Sequence, residues 1–517
     1  MARRPNKLIP DSFTAVPSQV APPTARVVGA ADDLEGVDAL GVLVHRDAPV
    51  DPALGLTRPA LERAGFSGEV GSALVVPRAD GPLLVAVGAG ALADQDAASL
   101  RDAAAAFARA AASAPRLRLH VPALGDVAPA AAARASTEGA VLARYRYSEL
   151  QSAPKRVALT DLQLVLPGVD QSEAARGARE GLVTARAALV ARDLVNTPAA
   201  HLTAADLADA TVELGRAHGF DVEVFGPDQL VQMGCGGLLG VNRGSVEEPR
   251  MVRLVYTPDG EPAGHLALVG KGITYDSGGI SLKPSDPMHL LMKMDMGGAG
   301  AIVGAFTGLR DLHVPSRVTA FLACTDNVPS GSAYVLGDVL HTRSGTTVEV
   351  RNTDAEGRLV MSDAFALVVE EQPQAVVSIA TLTGAALAAL GPAMAATLGN
   401  DQAVVEQVKA AAAATAERVW QLPLERSYRK QLDSDIADIA NLGGPHAGTI
   451  TAALFLDEFV GGLPWAHLDM CGPMQADADE SWRSKGATGY GARLLLELAR
   501  TFTPPAGTAP AGARARA

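Results

Sequence analysis

Apolar and polar positions along the chain fall into two successive α/β patterns. Between residues 26 and 170, the strand-like runs ALGVLVH, SALVVPR, LLVAVGAG, RLRLHVP and LQLVLP alternate with Ala-rich helical stretches at 93–112 and 130–147. Such alternation predicts a small α/β domain with a mostly parallel sheet. Residues 171–195 carry helical periodicity without proline and predict a connecting helix, which NTPA at 196–199 stops. A second α/β pattern occupies 196–502. A helix at 203–218 leads into strands DVEVF, VRLVYT, HLALVG, RVTAFLACT, AVVSIATLTGA and PWAHLDM, with helices at 297–311, 359–371, 401–417 and 449–461. The Pro-rich stretch 1–25 reads as a loose tail, and 503–517 as a disordered one.

Composition agrees with two domains. A chain of 517 residues exceeds what one core comfortably supports. With 48% apolar and 20% charged residues it reads as globular. A net charge of −13 argues against nucleic acid and against anionic membrane surfaces as partners. Cys235, Cys324 and Cys471 are scattered without a CxxC and read as buried small hydrophobes of a reducing compartment. The N-terminal residues MARRPNKLIPDSF lack an apolar signal core, and no stretch reads as a membrane span. A cytoplasmic protein with no membrane partner is the expectation.

Lysine usage changes the picture. Of 44 basic residues only eight are lysine, yet Lys271, Lys283 and Lys293 share one 23-residue window. Lysine can give up its proton when desolvated or beside other cations, which arginine does not. HLALVG has the continuous apolar character of a buried central strand, and Lys271 follows it, where open α/β sheets place ligands. The loop ITYDSGGIS sets Asp276 before a Gly-Gly pair suited to close backbone approach, and Asp295 precedes the small-residue run GGAGAIVGAF.

In NTDAEGRL, Asp354, Glu356 and Arg358 stand at i, i+2 and i+4, one face if the segment is extended. Alone, that triplet also suits an ordinary salt-bridged loop. Four carboxylates gathered with these lysines would repel unless neutralised, and two divalent cations would do it. A metal pair about 3.5–4 Å apart can activate water and polarise a carbonyl. No HExxH or HxH spacing is present, so zincin chemistry is unsupported. The oxygen-rich set suits Mn²⁺ first, with Mg²⁺ or Zn²⁺ as alternatives. Lys283 and Arg358 are then free to stabilise an oxyanion.

GKGITYDSGG, NTDAEGRL, ATLTGA and ITAALFL…WAHLDM…GATGYGARLL resemble the leucyl (cytosol) aminopeptidases, a family of dinuclear metallopeptidases. The likeness runs from about residue 191 to 496. It implies a two-domain α/β fold, with a small macro-like N-terminal domain and a larger C-terminal catalytic domain on a central mixed sheet. It also implies Lys271, Asp276, Asp295 and Glu356 as ligands of one metal and Asp276, Asp354 and Glu356 as ligands of the other. Lys283 would polarise the scissile carbonyl, and Arg358 would anchor a bicarbonate acting as general base. Met292, Thr381, Gly384, Cys471 and Met474 match the family's apolar side-chain pocket, though each alone fits core packing equally well. Substrates would be short peptides with a free N-terminus, Leu-like residues preferred, and the assembly a homohexamer turning over intracellular peptides.

Two departures stand out. Lys283 and Asp295 are twelve steps apart where the family pattern has eleven, so a bulge is expected in PSDPMHLL. Cys471 stands where alanine is commoner. Two rival readings are a narrow dipeptidase on the same site and a DNA-binding role, the second opposed by the acidic balance. VGAGALA at 87–93 matches a dinucleotide fingerprint but lacks the following acidic residue, and a tight turn explains it better.

Overall fold

Both α/β patterns become sheets in the computed structural model, which describes residues 9–10, 12–29 and 33–508. The chain divides into two units. One comprises Pro17–Leu189 with Ala476–Gly486, the other Met1–Val16, Val190–Gln475 and Ala487–Ala517.

The smaller unit holds β1 (Thr24–Val27), β2 (Ala39–Val44), β3 (Ala73–Val76), β4 (Leu83–Gly88), β5 (Arg116–His120) and β6 (Asp161–Val165), in the order β1-β6-β5-β2-β4-β3. Within this sheet, among the described residues, only the β3–β4 pairing is antiparallel. The Ala-rich helices Ala97–Ala110 and Pro129–Ala143 pack together, and small side chains let them approach closely: a Cβ on Gly139 would lie 2.0 Å from the Arg101 carbonyl oxygen. A buried Arg101–Glu138 ion pair of 2.7 Å crosses between them. Residues 476–486 return to this unit, where Asp479 meets Arg109 at 3.0 Å and Arg146 at 2.7 Å and Trp482 enters the core.

The expected loose tail over 1–25 needs correction, because β1 begins at Thr24 and pairs with β6, and a 3-10 turn forms at Pro17–Gln19. Residues 1–8 and 11 of that stretch, and 509–517 of the expected C-terminal tail, lie outside the described residues. Thr503, within the latter stretch, exchanges hydrogen bonds of 2.9 Å with Gln407. The glycine-rich turn after β4 spends its amides on protein: Ala89 N–H donates to Val44 O, Gly90 N–H to Gly68 O and Leu92 N–H to the Asp47 carboxylate. Donors so engaged leave no cradle for a phosphate.

The larger unit adds β7 (Asp221–Phe225), β8 (Arg250–Tyr256), β9 (His265–Asp276), β10 (Arg317–Asn327), β11 (Val339–His341), β12 (Thr347–Glu349), β13 (Ala375–Ala380), β14 (Ala395–Gly399), β15 (Val419–Gln421), β16 (Ile439–Ala440) and β17 (Trp465–Asp469). Eight of them form a mixed sheet, β15-β14-β17-β13-β9-β10-β8-β7, and β11-β12-β16 a small one. The short strands β14 and β15 carry too few apolar residues to stand out in the sequence.

Strand β9 runs six residues past the apolar run that predicts it, because β10 stays paired along one edge to Asp276, although pairing with β13 on the other edge ends at Gly270. Lys271 is thus inside the strand, not beyond its end. Successive residues face opposite ways. A Cβ on Gly270 would meet Ala299 and Ile302 of the helix Gly297–Leu309, while Lys271 lies along Gly357 of the helix Glu356–Glu370. Helices therefore cover both faces, which explains the unbroken apolar run. At Gly298 the helix touches the sheet, and an added Cβ would sit 2.1 Å from the Ile379 carbonyl oxygen. Gly298→Ala should cost about 1–3 kcal/mol by overpacking, read as a shift of the urea midpoint at unchanged slope; an unchanged midpoint would show that the helix can move aside freely.

Candidate metal centre

Two stretches of backbone, pinned to each other, carry the charged residues. After Asp276 the chain turns at Gly278 (φ +88°) and Gly279 (φ +66°), and Lys283 N–H closes the loop onto Ser277 O at 2.9 Å. A Cβ on Gly279 would lie 2.9 Å from both Asn327 Oδ1 and Thr353 Oγ1, so glycine is required for space as well as for φ. Thr353 Oγ1 donates to Gly278 O (2.6 Å) and accepts from Ser281 N–H (2.9 Å). Asn327 Nδ2 donates to Asp276 Oδ1 and Thr353 O, tying the strand end to the acidic turn. On the far side Asn441 takes the Arg351 amide on its side-chain oxygen and donates to Asn352 O.

The acidic turn is not extended. The helix Glu356–Glu370 begins three residues earlier than its pattern suggests, so Asp354, Glu356 and Arg358 do not share a strand face. Asp354 stays in the preceding turn, partly exposed. Glu356 opens the helix, where the backbone dipole favours a carboxylate. Arg358 donates to Asn441 O at 2.8 Å.

The remaining groups converge. Lys271 Nζ lies 2.7 Å from both Asp295 Oδ2 and Glu356 Oε1, and donates to Thr381 O at 3.0 Å. Lys283 Nζ lies 2.8 Å from Asp276 Oδ2 and is paired with Asp354. Carboxylate oxygens of Asp276, Asp354 and Glu356 all fall within 4.8 Å of one another.

Burial, reinforced by the Glu356 charge, pushes the Asp276 carboxyl up to about 7 despite Lys283 and Lys271. Burial also raises Asp295 well above its ordinary range, with Lys271 pulling the other way. For Glu356 burial is outweighed by the two lysines, which hold it below its usual value. Burial opposes the Lys271 ammonium, but Asp295, Glu356 and Asp276 together raise it. The acids are poised to bind positive charge, and each lysine sits between two of them. Glu356 Oε2 is buried without a hydrogen-bond partner. These donors fit hard divalent ions.

A cavity of about 280 Å³ opens over this cluster. Met292, Thr381, Gly384 and Cys471 line it, and Met474 does not. That residue is buried behind the wall, its Sδ and Cε lying where a Cβ on Gly297 would be. Arg358 is likewise absent from the lining, and its buried Nε has no hydrogen-bond partner. Burial and the nearby Asp469 push the Cys471 thiol up to about 12, so it lines the wall as a neutral group. Met288 and His289 join the lining unforeseen. They lie on the short helix Pro287–Leu290, capped by Asp286, which occupies the segment with the additional residue.

The catalytic domain of the cytosol aminopeptidase family matches residues 189–496, and that family's N-terminal domain matches residues 47–154. A probable cytosol aminopeptidase of Roseiflexus castenholzii is 44% identical over 392 residues, 75% of this chain and 80% of its own length. Another, from Leifsonia xyli subsp. xyli, is 41% identical over 509 residues, 95% and 98% of the two chains. Among solved structures, the bottromycin maturation enzyme BotP in complex with Mn superposes with a TM-score of 0.83 at 40% identity, covering 90% of this chain and 99% of that one. A mutant of tomato leucine aminopeptidase gives a TM-score of 0.83 at 28% identity, covering 93% and 97%. With both domains matched and relatives aligned along nearly the full length, the chain belongs to the cytosol aminopeptidase family.

Proposed function

We propose that this metal-dependent aminopeptidase works with two divalent cations, Mn²⁺ foremost, and releases Leu-like N-terminal residues from short peptides. The observation that carries the reading is the set of buried Asp276, Asp295 and Glu356 with the partly exposed Asp354 beside them, and Lys271 held between Asp295 and Glu356. Lys271, Asp276, Asp295 and Glu356 would hold one ion; Asp276, Asp354 and Glu356 the other. Bound there, the cations supply Lewis acidity for the scissile carbonyl and acidify water.

The chain's own groups do the rest. Lys283 now spans Asp276 and Asp354; once cations take over those charges, its ammonium is free to donate to the substrate carbonyl as negative charge develops. The acidic cavity favours a free α-amino group and disfavours an acylated one. Met292, Thr381, Gly384 and Cys471 form a wall of small and thioether groups that adapts to apolar side chains of different shape. Arg358, its charge buried and its Nε unpaired, suits a bicarbonate able to take a proton from the attacking water. A cytoplasmic homohexamer serving peptide turnover is the setting this family suggests.

Metal-stripped protein should not cleave leucine p-nitroanilide, and Mn²⁺ should restore cleavage while N-acetyl-leucine p-nitroanilide stays intact. Glu356→Ala should lose more than about 100-fold in kcat/KM, beyond the cost of an outer hydrogen bond to a ligand; full activity in this variant would rule out the ligand set. Gly357→Ala should weaken Mn²⁺ binding by about 10–100-fold in calorimetric titration, because its Cβ would lie 2.7 Å from Lys271 Cε. Added bicarbonate should stimulate the wild type and leave Arg358→Ala unmoved at a rate about 100-fold lower; equal stimulation of both would remove the anion from Arg358.

A further inference from the structure

Asp469 ends β17 with no accessible surface and contributes no ligand to the proposed centre. Its carboxylate nevertheless gathers four donors. Oδ1 accepts the backbone N–H groups of Leu382 (3.2 Å), Thr383 (3.4 Å) and Cys471 (3.4 Å), and Oδ2 accepts the Thr383 hydroxyl at 2.6 Å. All four donors lie on the turns that follow β13 and β17, parallel neighbours in which Ala380 stands opposite Asp469. Both turns line the cavity.

What the first turn does gives Asp469 its reach. Thr381, one residue before the anchored amides, donates its hydroxyl to Asp295 Oδ1 at 2.7 Å and accepts Lys271 Nζ on its carbonyl at 3.0 Å. One residue therefore orients two of the proposed ligands, and its own backbone is fixed by the carboxylate behind it. Thr383 Oγ1 also accepts the Ala386 amide, so the same anchor sets the start of the helix Gly384–Leu390. A carboxylate suits this task because it only accepts. An amide in its place would turn an N–H₂ toward one of these donors.

We propose that Asp469 is a positioning residue of the metal centre: through the 381–383 turn it aims Asp295 and Lys271 at the ion they share. The inference rests on the assignment of Asp295 and Lys271 as ligands. Outer groups of this kind set metal affinity by about 10–100-fold, and two groups acting along one route lose their effects non-additively.

The test titrates metal-stripped wild type, Asp469→Asn, Thr381→Val and the double variant with Mn²⁺ by calorimetry, and measures kcat and KM for leucine p-nitroanilide at saturating Mn²⁺. Asp469→Asn should weaken Mn²⁺ binding about 10-fold or more and lower kcat with KM nearly kept. The double variant should bind no more weakly than the worse single one. Mn²⁺ affinity within about twofold of wild type in Asp469→Asn, with or without a lower melting temperature, would reduce Asp469 to a structural anchor and overturn the proposal. So would losses that multiply in the double variant. If Asp469→Asn does not fold, Thr383→Val removes the hydroxyl contact to Oδ2 alone and is read in the same way. Glu356→Ala run alongside separates the two levels. Undiminished Mn²⁺ binding there overturns the ligand assignment and this inference with it, whereas lost binding there beside an unaffected Asp469→Asn overturns the inference alone.

Discussion

Four clustered carboxylates, three of them buried, cannot all remain ionised without compensating charge, and the larger unit is built around that constraint. Lys271 and Lys283 each stand between two of the acids. Room for Lys271 exists because Gly357 has no side chain to obstruct it. The acids meet because Asn327 and Thr353 bind the glycine turn after β9 to the acidic turn before the helix Glu356–Glu370. A local concentration of negative charge dictates glycine, asparagine and threonine at positions outside the proposed ligand set.

The central sheet supplies the rigidity this needs. Strand β9, set between β13 and β10 as far as Gly270 and paired with β10 onward, carries Lys271 and Asp276, with helices on both faces. Loops alone would let the acids drift apart under their mutual repulsion. An irregularity in the β9–β10 pairing lies between Thr325 and Asn327, next to Asp276, where it re-aims the strand end. The neutral shell is as ordered as the charged one, since Thr381 bonds to both Asp295 and Lys271, and Asn441 to the backbone at 351–352 and to Arg358.

Much of this was legible in the sequence. Apolar runs foretold the strands from β8 to β10 and also β13 and β17, because central strands covered on both faces leave a continuous signature, and the alternation in DVEVF foretold the edge strand β7. Lysine scarcity drew attention to Lys271 and Lys283, and their acidic neighbours followed. The helix start at Glu356 was not legible: Asp354 and Glu356 at i and i+2 suit an extended segment, and only the packed helix decides otherwise. Met474 matches a pocket motif yet packs behind it, since spacing does not say which side of a wall a side chain takes. Met288 and His289 escaped notice because they lie on a segment longer than the family pattern. Asp469 and Asn441 act through backbone groups remote in sequence, which no local motif records.

Residues 476–486 give the chain a property that its linear domain pattern conceals. The polypeptide leaves the larger unit after Gln475, contributes Asp479 and Trp482 to the smaller one, and returns at Ala487 before its last helix. Neither unit is a contiguous stretch of gene. A fragment cut within the helix Gln171–Asn196 would keep every candidate ligand but leave Trp482 without the core it packs in and Asp479 without Arg109 and Arg146, and the other fragment would lack a piece of its own core. Recombination that exchanges N-terminal domains between relatives must therefore carry this eleven-residue excursion along with them.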